Sequence, residues 1–340
     1  MLGLPPLPRT LEAALRDIEH ERQHVRLSAL RDLVRLADGP ARPRALAALG
    51  RVLLRDASAE LRADAAVALA DSSASEARAE LLAALEDAHL RVRQMALVAL
   101  GEIAEPGDAE IQAALRPFLA HEQAALRFQA LMAFERLAGA DAGPELVRAT
   151  RDSDVEVASM AFRLSERRFL DVDPPPELVD SARRVAAGTP TAASTSAALF
   201  LAARGDRSGG SVLVGALAGR VPVSGETDLQ AVVEAVAELG LEEARPALRR
   251  RAFGAFGMRA DGVGWHACIA LARLGDERAR RTIVKRLRAW TRDARTLAVV
   301  AAGRARVHAA REVLLGFRND PERADPDAVE EALHRIEGVE

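Results

Sequence analysis

The stretch LRVRQMALVALGEIAEP, Leu90 to Pro106, decides the fold. Val92, Ala96, Leu97, Leu100 and Ile103 recur three and four residues apart, which places them on one face of a helix. Pro106 and Gly107 then stop it. Ala96 anchors a template with aliphatic residues four before it and one, four and seven after it. The template fits again at Ala29, Ala65 and Ala130, and more loosely at Ala161, Ala197, Val232, Ala267, Ala298 and Val329. Successive anchors lie 31 to 36 residues apart.

A period of that length, varying by a few residues, is the mark of a helical solenoid. A second helical pattern lies between anchors, as at 44–54, 77–87 and 109–120. Breakers separate the patterns: Gly39-Pro40, Gly143-Pro144, Pro174 to Pro176 and Gly209-Gly210. Each repeat therefore reads as helix A, turn, helix B. The expected fold is all-α, an α-α superhelix of about ten helix hairpins forming one solenoid over 1–340. The repeats are regular over about 10–170 and more divergent over about 171–338. The stretch 171–195, rich in proline, is expected to bend the stack, with 219–228 as the next such place.

Composition agrees. Aromatics are 3% of 340 residues and tyrosine is absent, so Ala, Leu and Val must fill the core. Such a core suits closely approaching helices better than a sandwich of strands. The cations are 46 arginines and Lys285, a bias expected of a GC-rich bacterial genome. A single cysteine, Cys268, excludes an intramolecular disulfide and a Cys-based zinc site; in an apolar helical run it reads as a buried, inert thiol. The start MLGLPPLPRT lacks the features of a signal peptide, and no apolar run reaches the roughly 18 residues of a membrane span. A cytoplasmic location is expected.

One charged slot repeats with the anchors. Arg26, Arg62, Arg93 and Arg127 each stand three residues before an anchor, at the start of helix B. The adjoining turns offer carbonyls and acids, with Asp56, Asp87 and Glu122 as candidate partners. Each guanidinium is expected to hydrogen-bond the neighbouring turn and lock the stacking. Further along, the slot holds Ala158, Ser194, Leu229, Gly264, Arg295 and Pro326.

VRQMALVALGEI and ACIALARLGDERA resemble HEAT repeats of the bilin-lyase type, V-R-x-x-A-x-x-A-L-G-x-I-G-D, from about Thr10 to Gly338. The resemblance implies a right-handed superhelix with B helices on its concave side. It does not by itself carry bilin-lyase activity. Deoxyhypusine hydroxylases, also HEAT-like, bind iron through His-Glu pairs at the start of helix B. Here only His20-Glu21 and His121-Glu122 occur, and in turns or A-helix ends, so neither metal nor cofactor is expected. HEAT-like alkylpurine DNA glycosylases use Trp, Asp and Arg in a basic groove, but their constellation has no match around Trp265 and Trp290. Neither a P-loop nor a G-x-S-x-G motif occurs, and the glycine-rich 253–264 reads as a long turn.

Two surfaces could bind. Residues 245–311 carry 17 cations and 4 acids, a basic block in a chain of net charge −3. Arg278, Arg281, Lys285, Arg288, Arg292 and Arg295 recur three or four apart there, one stripe on a continuous helix, with Ile283, Leu287 and Trp290 facing the core. The stripe is either a solvated face or a docking patch for an acidic protein, anionic lipid or nucleic acid. The second surface is apolar. The slots one before and two after the anchors hold Met95, Val98, Gln129, Met132, Met160, Leu199, Ile269 and Leu297, and Phe128 and Trp265 stand two before theirs. That row suits a groove for a partner helix or peptide, or contacts between repeats. The expected function is a non-catalytic scaffold or adaptor binding another protein. The alternatives are a nucleic-acid-binding protein of the glycosylase-like kind and a bilin-lyase-like enzyme component.

Overall fold

The computed structural model describes residues 9–254 and 262–338, and every α-helix and 3-10 turn in it belongs to a repeating hairpin plan. Its contacts divide the chain into two compact units, Met1–Arg168 and Phe169–Glu340. The first holds five hairpins: α1 and α2 (Leu11–Asp17, Gln23–Leu36), α3 and α4 (Arg42–Arg55, Ala59–Asp71), α5 and α6 (Arg78–Ala84, Leu90–Ile103), α7 and α8 (Ala109–Leu115, Ala124–Ala138), and α9 and α10 (Gly143–Ala149, Val155–Arg168). The second holds five more: α11 and α12 (Pro176–Ala186, Ala192–Ala202), α13 and α14 (Gly210–Leu217, Glu226–Glu238), α15 and α16 (Arg245–Phe253, Gly262–Arg273), α17 and α18 (Glu277–Arg286, Arg292–Arg304), and α19 and α20 (Arg311–Arg318, Pro326–Glu337). The ten anchors expected from sequence fall one in each B helix, and all ten are buried.

The anchors are small because successive B helices pack side by side, as α4 on α6, α6 on α8 and α18 on α20. They also approach closely five residues past the anchor in α6 and α18. A Cβ on Gly101 of α6 would stand 2.8 Å from the Ala133 Cβ of α8, and one on Gly303 of α18 would stand 2.7 Å from the Ala332 Cα of α20. Residues larger than glycine would force these helices apart.

The arginine slot forms a ladder in the first unit. Arg26 donates to both oxygens of Asp56 at 2.8 and 3.0 Å and to the carbonyls of His20 and Glu21. Arg127 reaches both oxygens of Asp152 at 2.7 and 2.6 Å, and the carbonyls of His121 and Glu122. Thus the anticipated role of Glu122 passes to its carbonyl, and the carboxylate comes from the next turn, Asp152. Each of these aspartates also caps its own turn: Asp56 accepts the N–H of Ser58 and Asp152 that of Asp154, both at 2.8 Å. His20 and His121 take the same turn position, where Nδ1 accepts the N–H of Arg22 and of Gln123, each at 3.0 Å. The two His-Glu pairs are therefore turn residues.

The second unit is stapled differently. Ser194 stands in the arginine slot and completes a capping box with Thr191 on α12. Beside it, Thr195 Oγ1 donates to the carbonyl of Pro222 at 2.7 Å, a neutral link to the next hairpin. Only Arg295 restores the older pattern, donating to the carbonyls of Ala289 and Trp290 in its own turn and of Glu322 and Arg323 in the next.

The stretch 171–195 contains the regular helix α11, whose Leu178 and Ala182 are fully buried. Two expectations need correction. The basic stripe does not lie on one helix: α17 ends at Arg286, and Thr291 caps a new helix by accepting the Ala294 N–H. Trp290, placed on the core side by its spacing, sits in the intervening turn and is 97% exposed, while Ile283 and Leu287 are buried as expected. The turn expected at 253–264 falls largely on 255–261, outside the described residues.

Candidate functional site

In the second unit the B helices line an open cavity of about 920 Å³. Glu234 and Glu238 come from α14, His266, Ile269 and Arg273 from α16, Arg304 from α18, and His334 and Arg335 from α20. His266 and Ile269 occupy the slots flanking an anchor, and both line this cavity. The charges are largely spent on one another. His266 Nδ1 lies 3.3 Å from Glu234 Oε1, Arg304 stands 3.8 Å from the same oxygen, and Arg273 lies 3.7 Å from Glu238. Such exposed pairs contribute little stability but define a patterned polar surface.

The rest of the apolar row is uneven. Met95, Val98, Phe128, Gln129 and Met160 are half-buried, and Met132 is exposed. Leu199 is buried and offers nothing to a partner, whereas Leu297 is 61% exposed. Trp265 is half-buried with the Arg286 guanidinium 5.7 Å from its ring.

The basic stripe divides by role. Arg295 is a structural rung, as described above. Arg278 lies over the Phe253 ring at 4.0 Å. Arg292 reaches the carbonyl of Ala324 at 3.5 Å. Arg281, Lys285 and Arg288 remain, and they line one side of a second cavity, about 420 Å³, with Arg280, Val284 and Glu277. Arg306, Val307, His308 and Ala309 close it from the turn after α18. Arg306 was not marked by the sequence periodicity. Its signal was a departure: glycine stands at the equivalent place in the three hairpins before it, Gly205, Gly240 and Gly275.

Chemistry-bearing groups elsewhere are quiet. Burial pushes the Cys268 thiol up to about 12, with Sγ 3.9 Å from the Ala279 carbonyl oxygen, so it is not a poised nucleophile. Among the described residues no three His, Cys, Asp or Glu side chains are grouped to hold a metal ion. No helix among them is long and apolar enough to cross a membrane.

Residues 46–111 and 79–165 match the HEAT-repeat family. Those 120 residues thus carry HEAT repeats, and the fold of the chain is an α-α helical-repeat solenoid. Among solved structures it is similar to YibA of Escherichia coli, with 18% identity over 78% of this chain and 92% of that one, at a TM-score of 0.54. An engineered protein aligns over 96% of this chain and 98% of its own, with 19% identity and a TM-score of 0.46. None of the curated proteins matches the chain. The likeness to YibA shows the fold alone.

Proposed function

We propose that the protein is a non-catalytic scaffold that holds a partner protein on the B-helix face of residues 169–340. The observation that carries this reading is the open cavity of about 920 Å³ spread over four successive B helices, α14, α16, α18 and α20. Helical repeats present extended surfaces of this kind, and repeats generally serve protein recognition. The lining alternates acids, cations and imidazoles around Ile269, a composition suited to a polar, adaptable contact.

The test is affinity capture from the native host with the wild-type chain, Ile269→Glu and Arg273→Glu side by side, each checked for folding by circular dichroism. A stoichiometric protein partner lost with either variant supports the scaffold reading. A captured species that is removed by nuclease, or one retained equally by both variants, overturns it.

A further inference from the structure

The residue eight after the anchor ends each of three consecutive B helices of the second unit in the left-handed region. Gly205, Gly240 and Gly275 stand there with φ of 72°, 62° and 86°. The next N–H then reaches back into the helix, Asp206 to the carbonyl of Leu201, Leu241 to Val236 and Asp276 to Leu271. The fourth hairpin keeps the geometry, with the Val307 N–H on the Ala302 carbonyl at 2.9 Å, yet it has Arg306 in the slot at φ 47°. A residue with a Cβ is disfavoured there. Ser73 holds the same slot in the first unit, but with a short side chain. Arg306 is long, charged and exposed, and its guanidinium has no hydrogen-bond or ion-pair partner among the described residues.

What that guanidinium gains is position. Arg280, Arg306 and His308 line both cavities of the second unit. In the smaller cavity Arg306 lines the site with Arg281 and Lys285 from the last turns of α17 and with Arg288 just past its end. None of these four cations has a carboxylate partner among the described residues, whereas the neighbouring Arg280 is paired with Glu277 at 3.0 Å. Like charges at this spacing repel, so an anion placed among them relieves that repulsion. Val284, Val307 and Ala309 supply an apolar part of the lining.

We propose that this cavity reads an acidic segment of the partner protein, with Arg306, Arg281, Lys285 and Arg288 on its carboxylates and Val284 beside one apolar side chain; the proposal rests on the scaffold reading. The chemistry favours a peptide over nucleic acid. Among the described residues no Phe, Tyr or Trp side chain lines the cavity, and His308 alone is a poor stacking platform for successive bases. A volume of about 420 Å³ takes a few side chains, and the apolar lining matches a segment that mixes acids with an aliphatic residue.

The test is fluorescence anisotropy with a labelled peptide of aspartates and glutamates around a central leucine. Wild type should bind it saturably and lose affinity as salt rises. Arg306→Gly should weaken binding by about tenfold while its melting temperature is unchanged or raised, because the variant restores the glycine of the sister hairpins. Arg281→Glu with Lys285→Glu should weaken binding at least as much, and a serine in place of the peptide's leucine should weaken it several-fold. Undiminished binding to Arg306→Gly would overturn the proposal. So would tighter competition by single-stranded DNA or by phosphatidylserine vesicles. A wild-type protein that ignores the peptide yet still captures a partner through Ile269 and Arg273 overturns the cavity assignment alone. One that does neither overturns the scaffold reading with it.

Discussion

Arg62 ties two turns together: its Nε and Nη2 reach both oxygens of Asp87 at 2.7 and 2.9 Å, and its Nη1 holds the Asp56 carbonyl at 2.8 Å. Asp56 in turn receives Arg26, so each turn aspartate serves the arginine of the hairpin before it. Arg93 breaks the series. It donates to the Asp87 carbonyl at 3.2 Å, but the turn ahead offers His121 where the series has aspartate, and the buried Arg93 Nε has no partner.

The rungs should therefore differ in strength. Arg62→Met removes a bidentate partner from a carboxylate that is only 13% exposed, and should cost about 2–3 kcal/mol in urea unfolding. Arg93→Met, which strands no carboxylate, should cost clearly less. His121→Asp should supply the missing partner while still accepting the Gln123 N–H, and should stabilise the protein by about 0.5–1.5 kcal/mol. Equal losses for the two arginine variants, or a loss with His121→Asp, would mean the ladder is not what couples the hairpins.

The same pairs set the response to acid. The Arg62 guanidinium holds the Asp87 carboxyl below the usual carboxylate range. Burial pushes Asp152 up, but its bonds from Arg127 and from the Asp154 N–H outweigh this and leave it lowered as well. Asp108 is lowered by Arg78. In the unfolded chain these carboxyls return to about 3.9. Their stabilisation is thus complete above about pH 5 and is lost as pH falls through the folded values. The melting temperature should be flat from about pH 5 to 8 with respect to these groups and drop below about pH 4. Arg62→Met should be less acid-sensitive, because Asp87 then titrates nearer its unfolded value. A drop of the same size in that variant would assign the acid response elsewhere.

Much of this architecture was legible because its requirements are periodic. A B helix needs a small residue where its neighbours approach, and Ala29, Ala65, Ala96 and Ala130 repeat that need at fixed places. Trp290 shows where periodicity misleads. It continues the spacing of Ile283 and Leu287, but Leu287 is already the cap of α17, and Thr291, with its Oγ1 on the Ala294 N–H, opens α18. The three apolar matches imply one longer helix, and the stripe of six cations depends on that helix, whereas the Thr291 cap divides it. The Arg127–Asp152 pair was out of reach because it depends on where the next turn lands, 25 residues along. Arg306 breaks a pattern of glycines, so it is visible only once the slot it fills is known to be left-handed.

Gly303 and Gly316 separate packing from helix propensity. Both lie inside helices, α18 and α19, where alanine is intrinsically favoured by up to about 1 kcal/mol. A Cβ on Gly303 would meet the Ala332 backbone at 2.7 Å, and α18 would have to move off α20 to admit it. A Cβ on Gly316 would meet nothing within 4 Å. Gly316→Ala should therefore raise stability by about 0.5–1 kcal/mol, and Gly303→Ala should lower it by about 1–3 kcal/mol. Because Gly101 approaches Ala133 at the equivalent place, Gly101→Ala should repeat the loss, unfolding at lower urea than wild type. The measurement is urea unfolding followed by circular dichroism at 222 nm, a wavelength that reports helix alone in a fold of this class. If Gly303→Ala proved as favourable as Gly316→Ala, α18 and α20 would not be in the contact that sets the spacing of the B helices, and the small anchors would have lost their physical reason.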